Sequence, residues 1–353
     1  MQSKSQKKPI VLIVDWRLSD DEFWLQGELE RLGFRVVTEG IPDYDMKNRQ
    51  IRWRKLILWM EYLMLGWCGA RMARRVGGVV VAWNFVTGVC AIMASCLFRN
   101  RPPVVALNMI AHEKSKLHNL FRRLVYHWAF GTNRMLITAN SSQLRDQYIE
   151  SFRINPVSIS VLHDPWSRDY EVRPPDALDS GYAFSGGDTA RDWDALLAAA
   201  QICPEIPFKV VARRMAWRPK RQIPPNVSVV FDTSLDEFYT MARQSRIVLL
   251  PLNSNVTAGL IVLIRSLLLG RPVIATETPV LTPYFPDECG DLLVPMGGVE
   301  EMASTLRRYW TDHELRVKRA AALQSHVLEH FSPDAYARQV ADVVGRVCTA
   351  LDT

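Results

Sequence analysis

The stretch Ile247–Pro279, IVLLPLNSNVTAGLIVLIRSLLLGRPVIATETP, constrains the fold more than any other part of the chain. Ile247–Leu250 reads as a buried strand, followed by a polar turn that holds Gly259. An apolar run of helical length comes next, closed by Gly270-Arg271-Pro272, and Val273–Thr276 reads as a second buried strand. Strand, helix and strand make a βαβ unit, whose strands are parallel and whose first turn lies at their carboxyl ends. In an open α/β sheet that edge takes the ligand, and a helix amino terminus aimed at it favours phosphate. Thr257, Ala258 and Gly259 offer backbone N–H groups and one hydroxyl there, with no bulky side chain in the way. The pattern predicts a nucleotide-diphosphate edge.

The same alternation runs along the whole chain. Pro9–Val14, Phe34–Thr38, Val79–Trp83, Val104–Leu107, Met135–Thr138 and Val157–Leu162 read as strands, with helical segments between most of them. Ser19, ahead of Asp20-Asp21-Glu22, is an N-cap candidate for a helix ending at Gly33. A second set follows at Ala183–Phe184, Phe208–Val211, Val227–Phe231, Ile247–Leu250, Val273–Ala275 and Leu292–Val294. At roughly 150 residues per domain, 353 residues suggest two. The polar, Pro174-Pro175-containing stretch between the sets marks the seam. We therefore divide the chain into residues 1–168, a linker at 169–180, a second domain at 181–335, and a last helix at 336–353. The expected class is α/β, as two Rossmann-like, doubly wound domains facing a central cleft.

Three blocks carry a resemblance. Leu250-Pro251, the small-residue turn, the apolar helix and Gly-Arg-Pro-Val-Ile-Ala-Thr resemble the donor-binding segment of GT-B glycosyltransferases of the retaining, family-4-like group. Tyr182–Ala200 is similar to the strand, Gly-rich turn and basic residue that open its donor domain. Asp291–Pro295 with Val299–Leu306 resembles its late strand and helix, and Phe331-Ser332-Pro333 the turn before its last helix. The resemblance implies a sugar transferase taking a nucleotide sugar as donor substrate, with no cofactor and no bound metal. It also implies a last helix that crosses back to the first domain. One departure stands out: the group's two glutamates, eight apart, fall here on Thr257 and Arg265. Their sugar and ribose contacts do not carry over, and Arg265 is left either to face a phosphate or a different nucleotide, or to sit as a solvated helix residue.

Transfer of a sugar needs cations or dipoles on the leaving diphosphate and, usually, a group that accepts the acceptor's proton. By the resemblance, Arg191, just after Ser185-Gly186-Gly187, sits where the group places a basic residue on the diphosphate; an ion pair with Asp188 or Asp194 is the structural alternative. Arg213 and Arg214 follow the strand Phe208–Val211 at the same edge. Gly186, Gly187 and Gly259 allow close backbone approach to phosphate. For the proton, His112, Asp21 and Asp15 compete, all at carboxyl ends of strands or in the loops after them. Asp43-Tyr44-Asp45 spells a metal motif of another fold, without a strand ahead of it.

Residues 47–75 hold eight Lys/Arg, three Trp and one acid, Glu61. The apolar run Leu56–Ala70 is shorter than the ~20 residues a bilayer crossing takes. It suits an interfacial helix, with Trp53, Arg54, Trp59 and Trp67 at the membrane surface, or a core helix with a basic start. The uncharged stretch 77–98 is long enough to span, but it reads as a buried strand, a break at Asn84 and Thr87-Gly88, and a packed helix. Net charge +6 favours anionic partners. The expected partners are a nucleotide sugar, a lipid-linked or saccharide acceptor and an anionic membrane surface. Nucleic acid is excluded, because single-strand grooves are polar around their aromatics. Six scattered cysteines and no secretory leader point to the cytoplasm, peripheral on the inner membrane face. Loss of both glutamates leaves a silent nucleotide-sugar-binding partner subunit as the alternative.

Overall fold

The computed structural model describes residues 7–15, 23–40, 54–109, 116–131, 134–176 and 181–349, the side chains of 54–56 and 116–123 excepted. The chain divides into two compact units, Met1–His163 with Pro333–Thr353, and Asp164–Ser332.

The first unit holds β1 (Ile10–Ile13), β2 (Val36–Glu39), β3 (Val79–Ala82), β4 (Val104–Ala106), β5 (Met135–Ala139) and β6 (Ile159–Val161). They form one parallel sheet in the order β2-β1-β3-β4-β5-β6. β1 lies between two partners, with Ile10 opposite Val36 on one side and Val79 on the other. Most of these strands are unbroken apolar runs because helices cover both sheet faces. Those helices include α1 (Trp24–Arg31), α2 (Arg54–Val76), α3 (Phe85–Ser95), α4 (Lys116–Gly131) and α5 (Ser142–Phe152). At Gly66 on α2 an added Cβ would stand 2.7 Å from backbone and Cβ atoms of Cys90 and Ala91, so α2 and α3 meet backbone to backbone.

The second unit holds β7 (Ala183–Gly186), β8 (Phe208–Ala212), β9 (Val227–Phe231), β10 (Ile247–Leu250), β11 (Val273–Thr276) and β12 (Leu293–Val294). Its sheet is also parallel, in the order β12-β11-β10-β7-β8-β9. Around it lie α6 (Trp193–Ile202), α7 (Leu235–Arg243), α8 (Leu260–Leu268), α9 (Val299–Thr311) and α10 (His313–His330). The chain then returns as α11 (Pro333–Thr349), whose Tyr336, Val340 and Val344 enter the first unit's core beside Leu12, Leu25 and Val81.

Several local expectations change. Helix α1 begins at Trp24 with Phe23 as its N-cap and no acid in its first turn; Ser19 lies outside the described residues. Aromatic packing sets that start, since the Phe23 ring meets Trp83 edge-on at 5.1 Å. Asn84 stands at the break between strand and helix and caps α3, its Oδ1 accepting the Val86 N–H at 2.8 Å, whereas Thr87-Gly88 lie within α3 and break nothing. The uncharged stretch is thus β3 and α3. Among the described residues no helix is long and apolar enough to cross a membrane. Strand β6 starts only at Ile159, because Pro156–Ser158 forms a 3₁₀ turn capped by Asn155. The described part of the segment expected as a linker, residues 169–176, is held on the second unit: the Arg173 N–H donates to the Leu268 carbonyl, and the Gln324 amide donates to the Arg173 carbonyl.

Candidate functional site

In a doubly wound sheet the ligand crevice opens where the strand order reverses, at the carboxyl ends. In the second unit the reversal lies between β7 and β10. The turns after these strands are tied together: Arg191 bridges Leu252, and the Asn253 N–H donates to the Ala190 carbonyl at 3.0 Å. Gly186-Gly187 and Thr257-Ala258-Gly259 therefore belong to one edge.

Arg191 is buried there, only 6% exposed. Its Nε donates to the Gly186 carbonyl at 2.8 Å and its Nη1 to the Thr189 carbonyl at 3.0 Å. Nη2 makes no hydrogen bond among the described residues. Burial pulls the guanidinium pKa down to about 10, opposed by the Asp188 charge, so the group stays cationic at neutral pH. Gly187, at φ 113°, lies directly against it: a Cβ there would fall 2.4 Å from Nη2. Only glycine gives both that backbone and that clearance. The alternative of an ion pair does not describe this residue. Asp188 instead pairs with Arg213 at 2.9 Å and accepts the Arg213 N–H, and Asp194 accepts the N–H groups of Lys220 and Arg221.

Arg213 is thus neutralised at the rim and largely exposed, and Arg214 pairs with Asp232 at 3.6 Å. Across the edge, Gly259 (φ 85°) is the N-cap of α8 and supplies no side-chain acceptor. The first amide N–H groups of α8 carry the positive end of the helix dipole without a capping oxygen, the arrangement that takes an anion. Ala258 is buried and Thr257 half-buried beside them.

Arg265 is not a solvated helix residue, its side chain being only 20% exposed. Its guanidinium lies 4.0 Å from the Tyr170 ring centre and 4.5 Å from that of Tyr239, and it reaches Asp169 at 3.7 Å. This clamp lines a cavity of about 320 Å³ with Asp236, Thr240 and Arg243. Burial pushes the Tyr239 hydroxyl up to about 12, so it remains a neutral donor. Sequence reasoning missed Asp169 and Tyr170 on one segment and Tyr239 on another, none of which carries a motif.

The first unit's reversal lies between β1 and β3, and Asp15 stands at it, 5% exposed. Its Oδ2 accepts from the Asn84 amide at 3.0 Å and the Tyr62 hydroxyl at 3.4 Å. His112 and Asp21 lie outside the described residues, as do Trp53 and Asp43-Tyr44-Asp45. Arg54 opens α2, while Trp59 and Trp67 are exposed on it. Among the described residues no three His, Cys, Asp or Glu gather as a metal-holding group.

No family model matches the sequence, and no curated relative matches it. Solved structures do. Sucrose-phosphate synthase from Thermosynechococcus elongatus superposes with a TM-score of 0.70 at 14% identity, over 98% of this chain and 100% of that one. A glycosyltransferase from Rickettsia africae gives 0.67 at 11% identity, over 97% and 99%. HepE from Anabaena, solved with UDP and glucose, gives 0.63 at 14% identity, over 96% and 100%. At these identities the likeness speaks for architecture, and with two six-stranded parallel sheets the chain has the GT-B glycosyltransferase fold.

Proposed function

We propose that the chain transfers a sugar from a nucleotide-diphosphate donor, held at the β7–β10 edge, to a lipid-linked or polysaccharide acceptor at the inner face of a membrane, without a bound metal. The observation that carries this reading is the buried Arg191 guanidinium. Two backbone carbonyls hold it and its Nη2 is left beside Gly187, on the same edge as the uncapped start of α8. A fixed cation and a helix dipole on one diphosphate stabilise the charge that grows on the leaving group, without reorganisation during the step. The complexes of HepE with UDP and with UDP-glucose support a uridine nucleotide as the first donor to try. For the acceptor's proton, Asp15 has its Oδ2 engaged by two donors, which favours His112 or Asp21.

The test is ligand-induced thermal shift against UDP-, GDP-, ADP- and TDP-sugars without added metal. A donor at a hundred times its Kd stabilises by ~2.7 kcal/mol. Replacing Arg191 by Met should cut donor affinity about 10- to 100-fold, the value of a charge-assisted hydrogen bond. Silence across the panel would refute the donor site.

The Arg265 clamp favours a second reading, a partner subunit that binds the nucleotide but transfers nothing, because its ribose position is filled by an internal cation–π sandwich. Donor binding without release of free nucleotide in the presence of membrane extracts would select it.

A further inference from the structure

At the amino-terminal edge of the first sheet, away from the carboxyl edge where ligands of such sheets bind, lies a second cavity, of about 340 Å³. Lys8 ahead of β1, Gly77-Gly78 ahead of β3, Pro102-Pro103 ahead of β4 and Arg134 ahead of β5 form its floor. Arg74, Arg99 and Arg101 complete a set of five cations, and no Asp or Glu lines the cavity. The backbone beneath is locked by ladder hydrogen bonds, Val79 N–H to the Pro9 carbonyl and Val104 N–H to the Arg134 carbonyl, so the cations sit on a rigid base. No acidic residue occurs between Glu61 and Glu113.

The cavity continues into α2. Met60, Leu63, Met64, Trp67, Arg71 and Arg74 recur at helical spacing and share one face of it. The apolar members of that row are exposed, Met64 to 65% and Trp67 to 40%. Phe98 joins the two parts, its ring 5.3 Å from Trp67 and 5.0 Å from the Arg74 guanidinium, and Leu97 beside it is 74% exposed. An apolar row that ends in cations is complementary to one kind of surface, hydrocarbon bordered by phosphate.

We propose that this cavity is a headgroup site for an anionic phospholipid. Its phosphate sits among Lys8, Arg74, Arg99, Arg101 and Arg134, and its acyl chains lie along the Met60–Trp67 face of α2. The site deepens the membrane-face part of the proposed function and shares no residue with the donor edge.

The test is co-sedimentation of the full chain, without nucleotide sugar, with vesicles of phosphatidylcholine alone and of phosphatidylcholine mixed with phosphatidylglycerol. The chain should pellet with the mixed vesicles and not with the neutral ones. The double variant Arg99→Gln/Arg101→Gln, at two exposed positions, should weaken that binding on the order of 30-fold, about what two surface cations contribute. Met64→Glu should weaken it while leaving any binding of inorganic phosphate intact. Unchanged vesicle binding by the Arg99/Arg101 variant would overturn the site, as would equal binding to neutral vesicles. Inorganic phosphate that raises the melting temperature of the wild type but not of the double variant, without preference for anionic vesicles, would assign the cavity to a soluble phosphate instead. An oligonucleotide bound as tightly as the mixed vesicles would assign it to nucleic acid. Because no donor is present, failure here leaves the donor site standing, and the thermal-shift panel can fail without touching this result.

Discussion

Each sheet reverses its strand order once, yet the two reversal points are finished differently. In the first unit the polar groups satisfy one another. Asn84 caps α3 through its Oδ1 and donates through its amide to Asp15, which also accepts from Tyr62. In the second unit the corresponding turns keep Gly187 and Gly259 at positive φ, leave the start of α8 without a side-chain cap, and bury a cation beside them. A closed network fixes structure. An edge with an unneutralised cation and spare N–H groups costs stability until an anion arrives, which is what a binding site requires. The difference gives the proposed nucleotide site in the second unit a physical ground apart from any resemblance.

The sharpest way to break this contrast is Gly187→Ala. Its Cβ would collide with the Arg191 guanidinium, and alanine is strained at φ 113°. Loss of the donor-induced thermal shift is expected, with a stability cost of ~1–3 kcal/mol measured by urea unfolding. A retained shift would mean that the donor phosphate does not approach this turn. Next in size is Asp15→Ala, which leaves the Asn84 amide and Tyr62 hydroxyl without their acceptor. Stability should fall by ~1–3 kcal/mol while the donor thermal shift stays the same, since Asp15 holds the other unit's turn. An equal loss of donor response would show that the two reversal points act together.

A smaller effect concerns pH. Burial lowers the His163 pKa below its usual 6.5, against the contrary pull of the Asn140 carbonyl, to which its Nδ1 donates at 2.8 Å. Below pH 6.5 the unfolded chain takes up a proton that the folded chain resists, so stability should drop as pH falls through that value. His163→Asn should flatten this part of the pH profile, read as melting temperature between pH 7 and 5. The smallest expected effect separates the two faces of the α2–α3 pair. Cys68 is exposed, whereas Cys90 is buried with its thiol pushed up to about 11. A maleimide at pH 8 should label Cys68 rapidly and Cys90 only after unfolding. Fast labelling of Cys90 would show α2 lifting off α3.

Much of the architecture was legible in the chain. Each apolar run read as a strand contains one, and the central strands stand out because parallel strands buried on both faces must be apolar. Boundaries were less legible where tertiary packing overrides local signals. The Phe23–Trp83 contact accompanies a start of α1 at Trp24, and Gly88 inside α3 serves close packing against Ala106 rather than a break. The site divides along the same line. Gly186, Gly187, Arg191 and Gly259 lie next to strand ends, so their common edge followed from strand order. The place of Arg213 at the same edge was legible, but its pairing with Asp188 depends on the turn after β7, and Arg265 owes its position to Tyr170 and Tyr239 on two other segments.

Sequence alone determined what depends on periodicity and neighbours along the chain: two parallel α/β sheets, the turn glycines, and a basic, tryptophan-bearing helix. The tertiary structure decided what depends on groups distant in sequence meeting in space. It left Nη2 of Arg191 unbonded beside Gly187, closed Asp15 into a network, and gathered Lys8, Arg74, Arg99, Arg101 and Arg134 into one acid-free cavity. A charge's role is set by its partner and its burial, and neither is local to the chain.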